Sequence, residues 1–409
     1  MITVDEAIRQ IQQHLPALSF EYVDLDKSLN RVLYENLAAV EPSPSYTNSA
    51  MDGFAVRWTD VQSVSPENPV ILQIVGESQA GIPFQGRVKT GEAVHISTGA
   101  MLPEGADTVV PVEECHVKDS LITVVKIKSQ GNHVRYKGEE FKPGEVLMEK
   151  GTILGPEQLA LLASQGISKI KVFRQPRIVL FTTGTELKHF AEDNIESFQI
   201  RDSNSIMIQT LIAKAGGRFV GHHHISDNLN ETIETVRNLE EQADILIFTG
   251  GVSVGPHDHV RDAAESLGYR QIFWKIKQKP GKPFFLAAKE NKLWFGLPGN
   301  PVSAFMGFVH YIFPSIRSMT GEMFHWPSVN ATMLNSTSIK GDRIQFRRVK
   351  LRREGQKLMA EVLKKQGSHM LTSISDAHGY IMMQPGHALE KGQQIQVYLF
   401  PWRLYEWNY

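Results

Sequence analysis

Cysteine is nearly absent from this chain of 409 residues, because Cys115 is the only one. A single cysteine excludes an internal disulfide framework and a cysteine-rich zinc site, and it favours a reducing, cytoplasmic setting. Long apolar runs are absent too, and residues 1–6 do not have the pattern of a signal peptide. We therefore expect a cytoplasmic protein that has no membrane partner.

Net charge is also low, since 43 Lys and Arg face 44 Asp and Glu, giving a formal charge of -1. This balance gives no reason to expect a nucleic-acid partner. A hydrophobic fraction of 42% excludes a disordered chain. The chain is longer than a domain with a single hydrophobic core usually is, so roughly two to four domains are expected.

Two glycine-rich turns stand at the ends of short apolar strands in the second half of the chain. Residues 245–248 run into residues 249–255, and residues 293–295 run into residues 296–303. A helical pattern follows each turn, and Asn300 is in position to cap the second helix. A helix start that is reached through glycines offers backbone N–H groups to an anion such as phosphate.

Four lysines lie between the two turns, within residues 275–282. A single glycine-rich turn or lysine run is common, whereas their convergence favours a phosphate or oxyanion site. The turns lack the Lys-Ser/Thr end of a Walker A loop and the G-x-G-x-x-G spacing. This argues against a P-loop NTPase and against a Rossmann dehydrogenase.

Hydrophobic periodicity divides the chain into regions of different class. Helical patterns are expected near the start, where Thr3 and Glu6 form a capping box, then over residues 29–37 and 156–165. The order of elements predicts a multidomain α/β protein with four regions: residues 1–42 with 145–176, which are helical; 43–144, an inserted β-domain; 177–322, an α/β domain; and 323–409, a β-barrel or sandwich.

Three carboxylates, Glu186, Asp227 and Asp258, each follow a predicted strand of the α/β region. Ligands of open parallel sheets bind at the carboxyl ends of the strands. Three carboxylates around an anion site favour a bound Mg²⁺, although a structural or capping role stays open for each. The run of histidines at residues 222–224 cannot bind one metal, because alternate strand residues face opposite sides.

Other candidates are weaker on the residues alone. Asp52 belongs to an Asp-Gly pair, which usually marks a turn, and Thr98 lies in a loop that could display a hydroxyl. Residues 327–409 carry twelve Lys and Arg against six Asp and Glu. This basic excess could help to hold an anionic ligand, or it could serve solubility.

Taken together, these motifs resemble the MoeA family, the molybdopterin molybdenumtransferases, which are related to the E domain of gephyrin. The likeness covers essentially the whole chain. The segments that carry it are residues 48–55, 97–100, 200–204, 249–255, 279–283 and 296–303.

The resemblance implies a three-layer α/β molybdopterin-binding domain with an inserted β-domain, an elongated helical segment and a C-terminal β-barrel. It implies a homodimer whose active-site cleft combines the N-terminal part of one subunit with the α/β and barrel domains of the other. The implied reaction is insertion of molybdate into adenylylated molybdopterin, with release of AMP and dependence on Mg²⁺. The molybdopterin adenylyltransferase of the preceding step is an expected partner.

The resemblance also implies roles for individual residues. The residues matching catalytic positions are Asp52, Thr98, Glu186, Asp227, Asp258 and Lys275, and Mg²⁺ is expected on Glu186, Asp227 and Asp258. The residues matching substrate-binding positions are Gly250, Gly251, Ser253, Gly255, Lys279, Lys282, Pro283, Gly299, Asn300, Ser303, Arg135, Arg348 and Ser368.

The chain departs from the family pattern at Thr47, Thr185 and Pro256, where acidic residues are common. The two departures beside the expected metal could shift its ligation to water or to His257. Two rival interpretations are considered. One is a gephyrin-type scaffold. The other is an enzyme that shares only the molybdopterin-binding domain, and such an enzyme would not need residues 43–144. Molybdate and tungstate are not distinguished, since their size and charge are nearly the same.

Overall fold

The computed structural model describes residues 1–253 and 259–403. The chain divides into two compact units. The first comprises residues 1–35, 151–159 and 168 onward, and the second comprises residues 36–150 and 160–167. The second unit, which contains the β-domain predicted at residues 43–144, is inserted into the sequence of the first.

The chain begins with helix α1 (Val4–Gln13), whose N-cap Thr3 accepts the N–H of Glu6 at 3.2 Å, as predicted. Strand β1 (Phe20–Asp24) and a 3-10 turn (Leu25–Lys27) follow. The helix predicted over residues 29–37 is wrong. Val32 and Leu33 form antiparallel bridges there, to Ile153 and Val172, because adjacent buried apolar residues suit extended backbone better than a helix.

The second unit is built on a six-stranded sheet with the order β7-β4-β6-β5-β9-β8. All its pairs are antiparallel except β5 with β6. The elements are β2 (Leu37–Ala38), β3 (Asn48–Ser49), β4 (Gly53–Val56), α2 (Trp58–Val61), β5 (Val70–Ser78), β6 (Glu92–Ile96), β7 (Thr108–Pro111), a 3-10 turn (Val112–Glu114), β8 (Cys115–Lys118), β9 (Leu121–Val124), β10 (Val134–Arg135) and β11 (Val146–Met148). The Val- and Ile-rich alternation therefore predicted the β character of this region.

Helix α3 (Pro156–Ser164) and strand β12 (Lys169–Phe173) lead into the α/β region. The elements there are β13 (Arg177–Thr183), β14 (Leu187–Lys188), β15 (Ile200–Arg201), α4 (Asn204–Lys214), β16 (Arg218–Ile225), α5 (Leu229–Leu239), a 3-10 turn (Glu240–Gln242), β17 (Ile245–Thr249), α6 (Val260–Ser266), β18 (Arg270–Trp274), β19 (Gln278–Lys279), β20 (Phe285–Lys289), β21 (Lys292–Leu297), α7 (Pro301–Gly307), a π-helical turn (Phe308–Ile312) and α8 (Phe313–Met319). The sheet order is β16-β13-β17-β21-β20-β18, and its first four strands are parallel.

Alternate residues of the central strands enter different cores, which makes this region three-layered. Ile178 and Ile247 belong to one buried cluster, whereas Val179 and Phe248 belong to the other. Both faces of the sheet are thus covered, which explains why its strands are apolar without alternation. The predicted α/β class is confirmed.

A closed five-stranded barrel forms the C-terminal region, in the order β24-β25-β22-β28-β26 and back to β24. The elements are β22 (Ser328–Met333), β23 (Thr337–Ser338), β24 (Ile344–Glu354), β25 (Lys357–Val362), α9 (Thr372–Ser375), β26 (Gly379–Met383), β27 (Ala388–Leu389), β28 (Gln394–Leu399) and a 3-10 turn (Pro401–Arg403). Of the two predicted alternatives, the barrel is correct. Strand β19 of the α/β region also pairs with β24 and so joins the two regions.

Gly379 lies where β26 passes close to β28, and a Cβ at this position would lie 2.1 Å from the carbonyl oxygen of Tyr398 on β28, so the pairing leaves no room for a side chain. We expect Gly379→Ala to lower the free energy of unfolding by about 3 kcal/mol. Urea unfolding measures this change. Gly221→Ala is the control, since the nearest atom to its Cβ would be 3.4 Å away, and an equal loss in both variants would contradict the assignment.

His310 lies buried under the barrel, where its Nδ1 is 2.8 Å from the Tyr380 hydroxyl. Burial lowers the pKa of His310 to about 3. The imidazole therefore binds a proton near pH 6.5 in the unfolded chain but not in the folded chain. The free energy of unfolding consequently decreases as pH falls below that value.

From pH 6.5 to pH 5, His310 should lower the free energy of unfolding by about 2 kcal/mol. Urea unfolding at both pH values checks this. The pH-dependent loss should shrink in His310→Gln and persist in the control His116→Gln, at an exposed position. An unchanged loss in His310→Gln would show that other groups cause it.

In the part of the chain that the structure describes, no helix is long and apolar enough to cross a lipid bilayer.

Candidate functional site

A cavity of about 1040 Å³ opens between the carboxyl edge of the parallel strands and the barrel, within the first unit. Thr183 ends β13, Asp227 follows β16, Gly250 follows β17 and Gly299 follows β21, and all four line this cavity. Because parallel strands end at the same edge of a sheet, segments that are distant in sequence meet here. The predicted residues that line it are Glu186, Asp227, Gly250, Gly251, Ser253, Lys279, Lys282, Pro283, Gly299, Asn300, Ser303 and Ser368.

The first glycine-rich turn packs tightly against the end of β13. Gly250 has φ +96° and Gly251 has φ +65°. A Cβ on Gly250 would lie 2.6 Å from the Thr183 hydroxyl oxygen and 2.7 Å from its carbonyl oxygen. Backbone conformation and contact thus both require glycine, and the turn exposes main chain to the cavity. The Thr183 hydroxyl is buried and lacks a hydrogen-bond partner among the described residues.

The second turn is only partly free to bind an anion. Asn300 is the N-cap of α7, yet the Val302 N–H donates to the Ser368 carbonyl oxygen at 3.0 Å. This N–H, which was expected to face a ligand, instead attaches the barrel to the helix. The Asn204 Nδ2–H donates to the Gly299 carbonyl oxygen at 2.8 Å, which fixes the turn from the other side.

Two of the three predicted metal ligands reach the cavity. Glu186 is exposed and Asp227 is half-buried, and the Thr185 N–H donates to Asp227 Oδ2 at a long 3.4 Å. The third ligand, Asp258, lies outside the described residues, as does Gly255. Among the residues that are described, no three acidic, histidine or cysteine side chains form a group that could hold a metal.

Six cationic side chains line the same cavity. Lys279 and Lys282 come from the loop around β19, and the barrel contributes Arg343, Arg347, Lys364 and Lys365. Within residues 1–253 and 259–403, none of the six forms an ion pair with an acidic side chain. Only Glu186 and Asp227 oppose them in the described lining, so the cavity is strongly basic although the chain is nearly neutral.

Arg348 lies behind the cavity wall, and its neighbour Arg347 lines the cavity instead. Arg348 is 1% exposed, and its guanidinium donates to Ser373 Oγ at 3.3 Å and to the Gly367 carbonyl oxygen at 3.4 Å. Burial first, and then the nearby Arg347, lower the pKa of Arg348 to about 10. This placement differs from the predicted contact with substrate, because adjacent residues of a strand face opposite sides.

The register of β19 with β24 explains why Arg347 reaches the site. Lys279 pairs with Gln345 in parallel register, and Arg347 is two residues further along β24. Residues two apart share a face of the sheet, so Lys279 and Arg347 point the same way. The basic composition of the barrel was the only sequence signal for Arg343, Arg347, Lys364 and Lys365.

The segment at residues 364–370 forms a fixed wall of the cavity. The Gln366 amide donates to the carbonyl oxygens of Arg348 at 3.1 Å and of Leu363 at 2.8 Å, and it accepts the Arg348 N–H at 3.1 Å. Ser368 is attached to α7 through Val302. Ser303 follows Val302 in α7 and is buried, with 4% exposure.

Lys275 does not line the cavity. Its Nζ lies 3.7 Å from the ring centroid of Trp274, and the guanidinium of Arg261 lies at the same distance from that ring. The Trp274 indole N–H donates to the Val252 carbonyl oxygen at 3.0 Å. Lys275 therefore packs against Trp274, and Trp274 in turn holds the first glycine-rich turn through Val252.

Asp52, Thr98 and Arg135 lie in the second unit, and all three are exposed. Asp52 Oδ1 accepts the Thr98 N–H at 2.6 Å and the Thr98 hydroxyl at 2.9 Å. These hydrogen bonds, the backbone one foremost, lower the pKa of the Asp52 carboxyl. The Asp-Gly pair is therefore more than a turn, because Thr98 stabilises Asp52 as a carboxylate on the surface.

Three family models match successive parts of the chain. They are the MoeA N-terminal region (domain I and II) at residues 2–166, a probable molybdopterin binding domain at residues 179–318, and the MoeA C-terminal region (domain IV) at residues 330–400. The matches on both sides of the central domain exclude the rival enzyme that shares only this domain.

Curated relatives and solved structures match over nearly the full length. The molybdopterin molybdenumtransferase of Haemophilus influenzae is 34% identical over 391 residues, 94% of this chain and 95% of the relative. The protein of that name from Staphylococcus aureus (strain Mu50) is 33% identical over 405 residues, 97% and 95% of the two chains.

The crystal structure of a molybdopterin biosynthesis MoeA protein from Pyrococcus horikosii has a TM-score of 0.85 at 29% identity, covering 98% of this chain and 99% of that one. The chain therefore belongs to the MoeA family of molybdopterin molybdenumtransferases.

Proposed function

We propose that the chain inserts molybdate into the dithiolene of adenylylated molybdopterin and that AMP is released in the same reaction. The observation that carries this proposal is the cavity in which six cations, none with an ion-pair partner among the described residues, meet two glycine-rich turns, in a chain of this family. Phosphates and molybdate are all anions, so both substrates suit such a cavity.

The two substrates would use different parts of the cavity. Main-chain N–H groups around Gly250, Gly251 and Ser253, with the turn at Gly299, would hold phosphate of the pterin substrate. Lys279 and Lys282 would hold molybdate as point charges, with Ser303 and Ser368 as hydroxyl donors and Pro283 shaping the pocket. Arg348 would act from behind this wall by fixing the carbonyl of Gly367.

Mg²⁺ is proposed as the cofactor, held by Glu186 and Asp227 together with Asp258. Carboxylate oxygens are the ligands that Mg²⁺ prefers, and the two described carboxylates have no competing cation partner among the described side chains, so the residues fit the ion. When bound, Mg²⁺ would polarise the phosphoanhydride. The role of Glu186 and Asp227 is to keep negative charge at one side of an otherwise basic cavity.

We propose further that the chain works as a homodimer in which Asp52, Thr98 and Arg135 of one subunit serve the cavity of the other. This follows from the family resemblance. The ionised Asp52, held by Thr98, supports a functional role for this surface. The molybdopterin adenylyltransferase that makes the substrate is the proposed partner. Lys275 would act indirectly, through Trp274.

Purified protein tests the proposed reaction when adenylylated molybdopterin is supplied as substrate. AMP release is expected with molybdate and Mg²⁺ together, and it should fall to background when molybdate is omitted or when excess EDTA is present. Asp227→Asn should show the same loss with both supplied, while its folding stays intact. Full AMP release in EDTA would refute the metal assignment, and no AMP release under any condition would refute the reaction.

A further inference from the structure

One short loop carries both lysines that are proposed to hold molybdate. Lys279 and Lys282 are exposed and line the cavity, whereas Pro280 and Gly281 between them are buried. The loop is closed at its base, because the Ile276 N–H donates to the Lys282 carbonyl oxygen at 3.0 Å. The positions from which the two lysine side chains enter the cavity therefore depend on what holds the middle of the loop.

The side chain of Gln278 holds the middle of this loop. Its Nε2 donates to the carbonyl oxygens of Pro280 at 3.2 Å and of Gly281 at 3.1 Å. Gln278 is fully buried, so both hydrogen bonds are shielded from water. A Cβ on Gly281 would lie 3.0 Å from the same nitrogen, and the φ of +83° at this residue also favours glycine. The loop is thus folded over a single amide group.

The hydroxyl of Tyr311 holds that amide from the other side. It donates to Gln278 Oε1, and Tyr311 is itself 1% exposed. Burial first, and then the negative charge of Asp5, raise the pKa of Tyr311, so the hydroxyl keeps its proton and remains a donor. If the Gln278 amide were turned over, its oxygen would face two carbonyl oxygens, so a single orientation of the side chain is favoured.

Tyr311 belongs to the π-helical turn Phe308–Ile312, which lies between α7 and α8. Helix α7 begins at the second glycine-rich turn and carries Ser303, which lines the cavity. A π-helical turn accommodates an extra residue in a helix, and such turns are frequent at functional sites. The same helical segment therefore contributes Ser303 to the cavity wall and, further along, the hydroxyl that fixes Gln278.

We propose that Gln278 is a positioning residue, which holds the two lysines of the loop in the arrangement that binds molybdate and is itself fixed by Tyr311. This inference rests on the proposed function, in which the lysines hold the oxyanion. Neither Gln278 nor Tyr311 lines the cavity, so both act through the loop and not by contact with the ligand. A loop that is already ordered binds a small dianion more tightly, because less conformational entropy is lost on binding.

Isothermal titration of the full-length protein with molybdate tests this inference without turnover. Gln278→Met keeps the length of the side chain and removes its three hydrogen bonds, and Tyr311→Phe removes the hydroxyl alone. The matched control is Gln165→Met in the second unit, because Gln165 is also buried and its side-chain oxygen accepts the N–H groups of Val40 at 2.9 Å and Glu41 at 3.1 Å. Circular dichroism and urea unfolding verify the fold of each variant.

The dissociation constant for molybdate should rise about tenfold in Gln278→Met and about threefold in Tyr311→Phe, because the lysines remain but are no longer held. The variant with both changes should equal Gln278→Met, since the two residues act through the same hydrogen bonds. Gln165→Met should bind molybdate as the wild type does. In the AMP-release assay, Gln278→Met should need more molybdate for half-maximal rate, while its rate at saturating molybdate stays near the wild-type value.

Unchanged molybdate affinity in folded Gln278→Met would overturn the inference, as would an equal loss of affinity in Gln165→Met. If Gln278→Met does not fold, Tyr311→Phe decides, and unchanged affinity in that variant would overturn the inference. Wild-type protein that binds no molybdate would overturn the inference and the oxyanion position together. Failure of the proposed reaction would show differently, as absent AMP release while molybdate binding stays intact and still depends on Gln278.

Discussion

Replacing Lys279 by alanine is expected to raise the molybdate concentration for half-maximal AMP release by about 50-fold, since a charge-assisted contact with a small dianion is lost. Lys279 is exposed to the cavity and forms no ion pair with a described residue, so its charge is available to a ligand. Molybdate offers few atoms for other contacts. The loss should therefore be larger for molybdate than for the pterin substrate.

Lys277→Ala is the matched control, because Lys277 is an exposed lysine two residues earlier that does not line the cavity. It should behave as wild type in the same titration. Circular dichroism verifies that both variants are folded. An unchanged molybdate requirement in Lys279→Ala, or an equal change in both variants, would move the oxyanion position away from this lysine.

Mixing two inactive variants should restore about a quarter of wild-type activity if the proposed dimer shares its clefts. Asp52→Ala is expected to be inactive alone. Lys279→Ala is expected to be nearly inactive at a molybdate concentration that suffices for the wild type but lies far below the raised requirement of this variant, and the assay uses that concentration. A twofold dimer has two equivalent clefts, so a mixed dimer concentrates both lesions in one cleft and leaves the other intact. Random exchange makes about half the dimers mixed, each with one of two clefts intact, hence about a quarter.

Subunit exchange must be verified independently, for example by mass spectrometry of subunits that carry different isotope labels. Mixing Asp52→Ala with wild type provides the upper reference. If exchange is complete and no AMP release returns, Asp52 and Lys279 serve the same cleft from one chain, and the shared-cleft proposal fails. The reaction assignment would stand in that case.

Sequence reasoning succeeded where burial and periodicity act together. The strand at residues 245–248 is apolar throughout because both faces of the sheet are covered, and this pattern located β17 and the turn after it. Asn204 begins α4, and Gly216 follows its end with φ +85°, a backbone conformation that favours glycine. Local chemistry of this kind can be recognised without knowing the partner surface.

Tertiary pairing decided the features that sequence reasoning missed. Val32 and Leu33 satisfy a helical pattern, yet their bridges to residues far along the chain favour extended backbone. Arg347 lines the cavity where Arg348 was predicted to do so. This placement depends on the parallel register of β19 with β24, a pairing between two regions that sequence patterns treat separately. The contact of Val302 with Ser368 likewise joins a helix start to a barrel segment.

The most direct test of the central claim is the ratio of molybdenum incorporated to AMP released in one reaction. Purified protein would be given adenylylated molybdopterin, Mg²⁺ and a limiting series of molybdate concentrations. Pterin-bound molybdenum would be measured by mass spectrometry and AMP by chromatography. We predict one molybdenum per AMP at every concentration. AMP that accumulates at the same rate without molybdate, or molybdenum that enters the pterin while the adenylate remains attached, would contradict the claim that this cavity couples the two events.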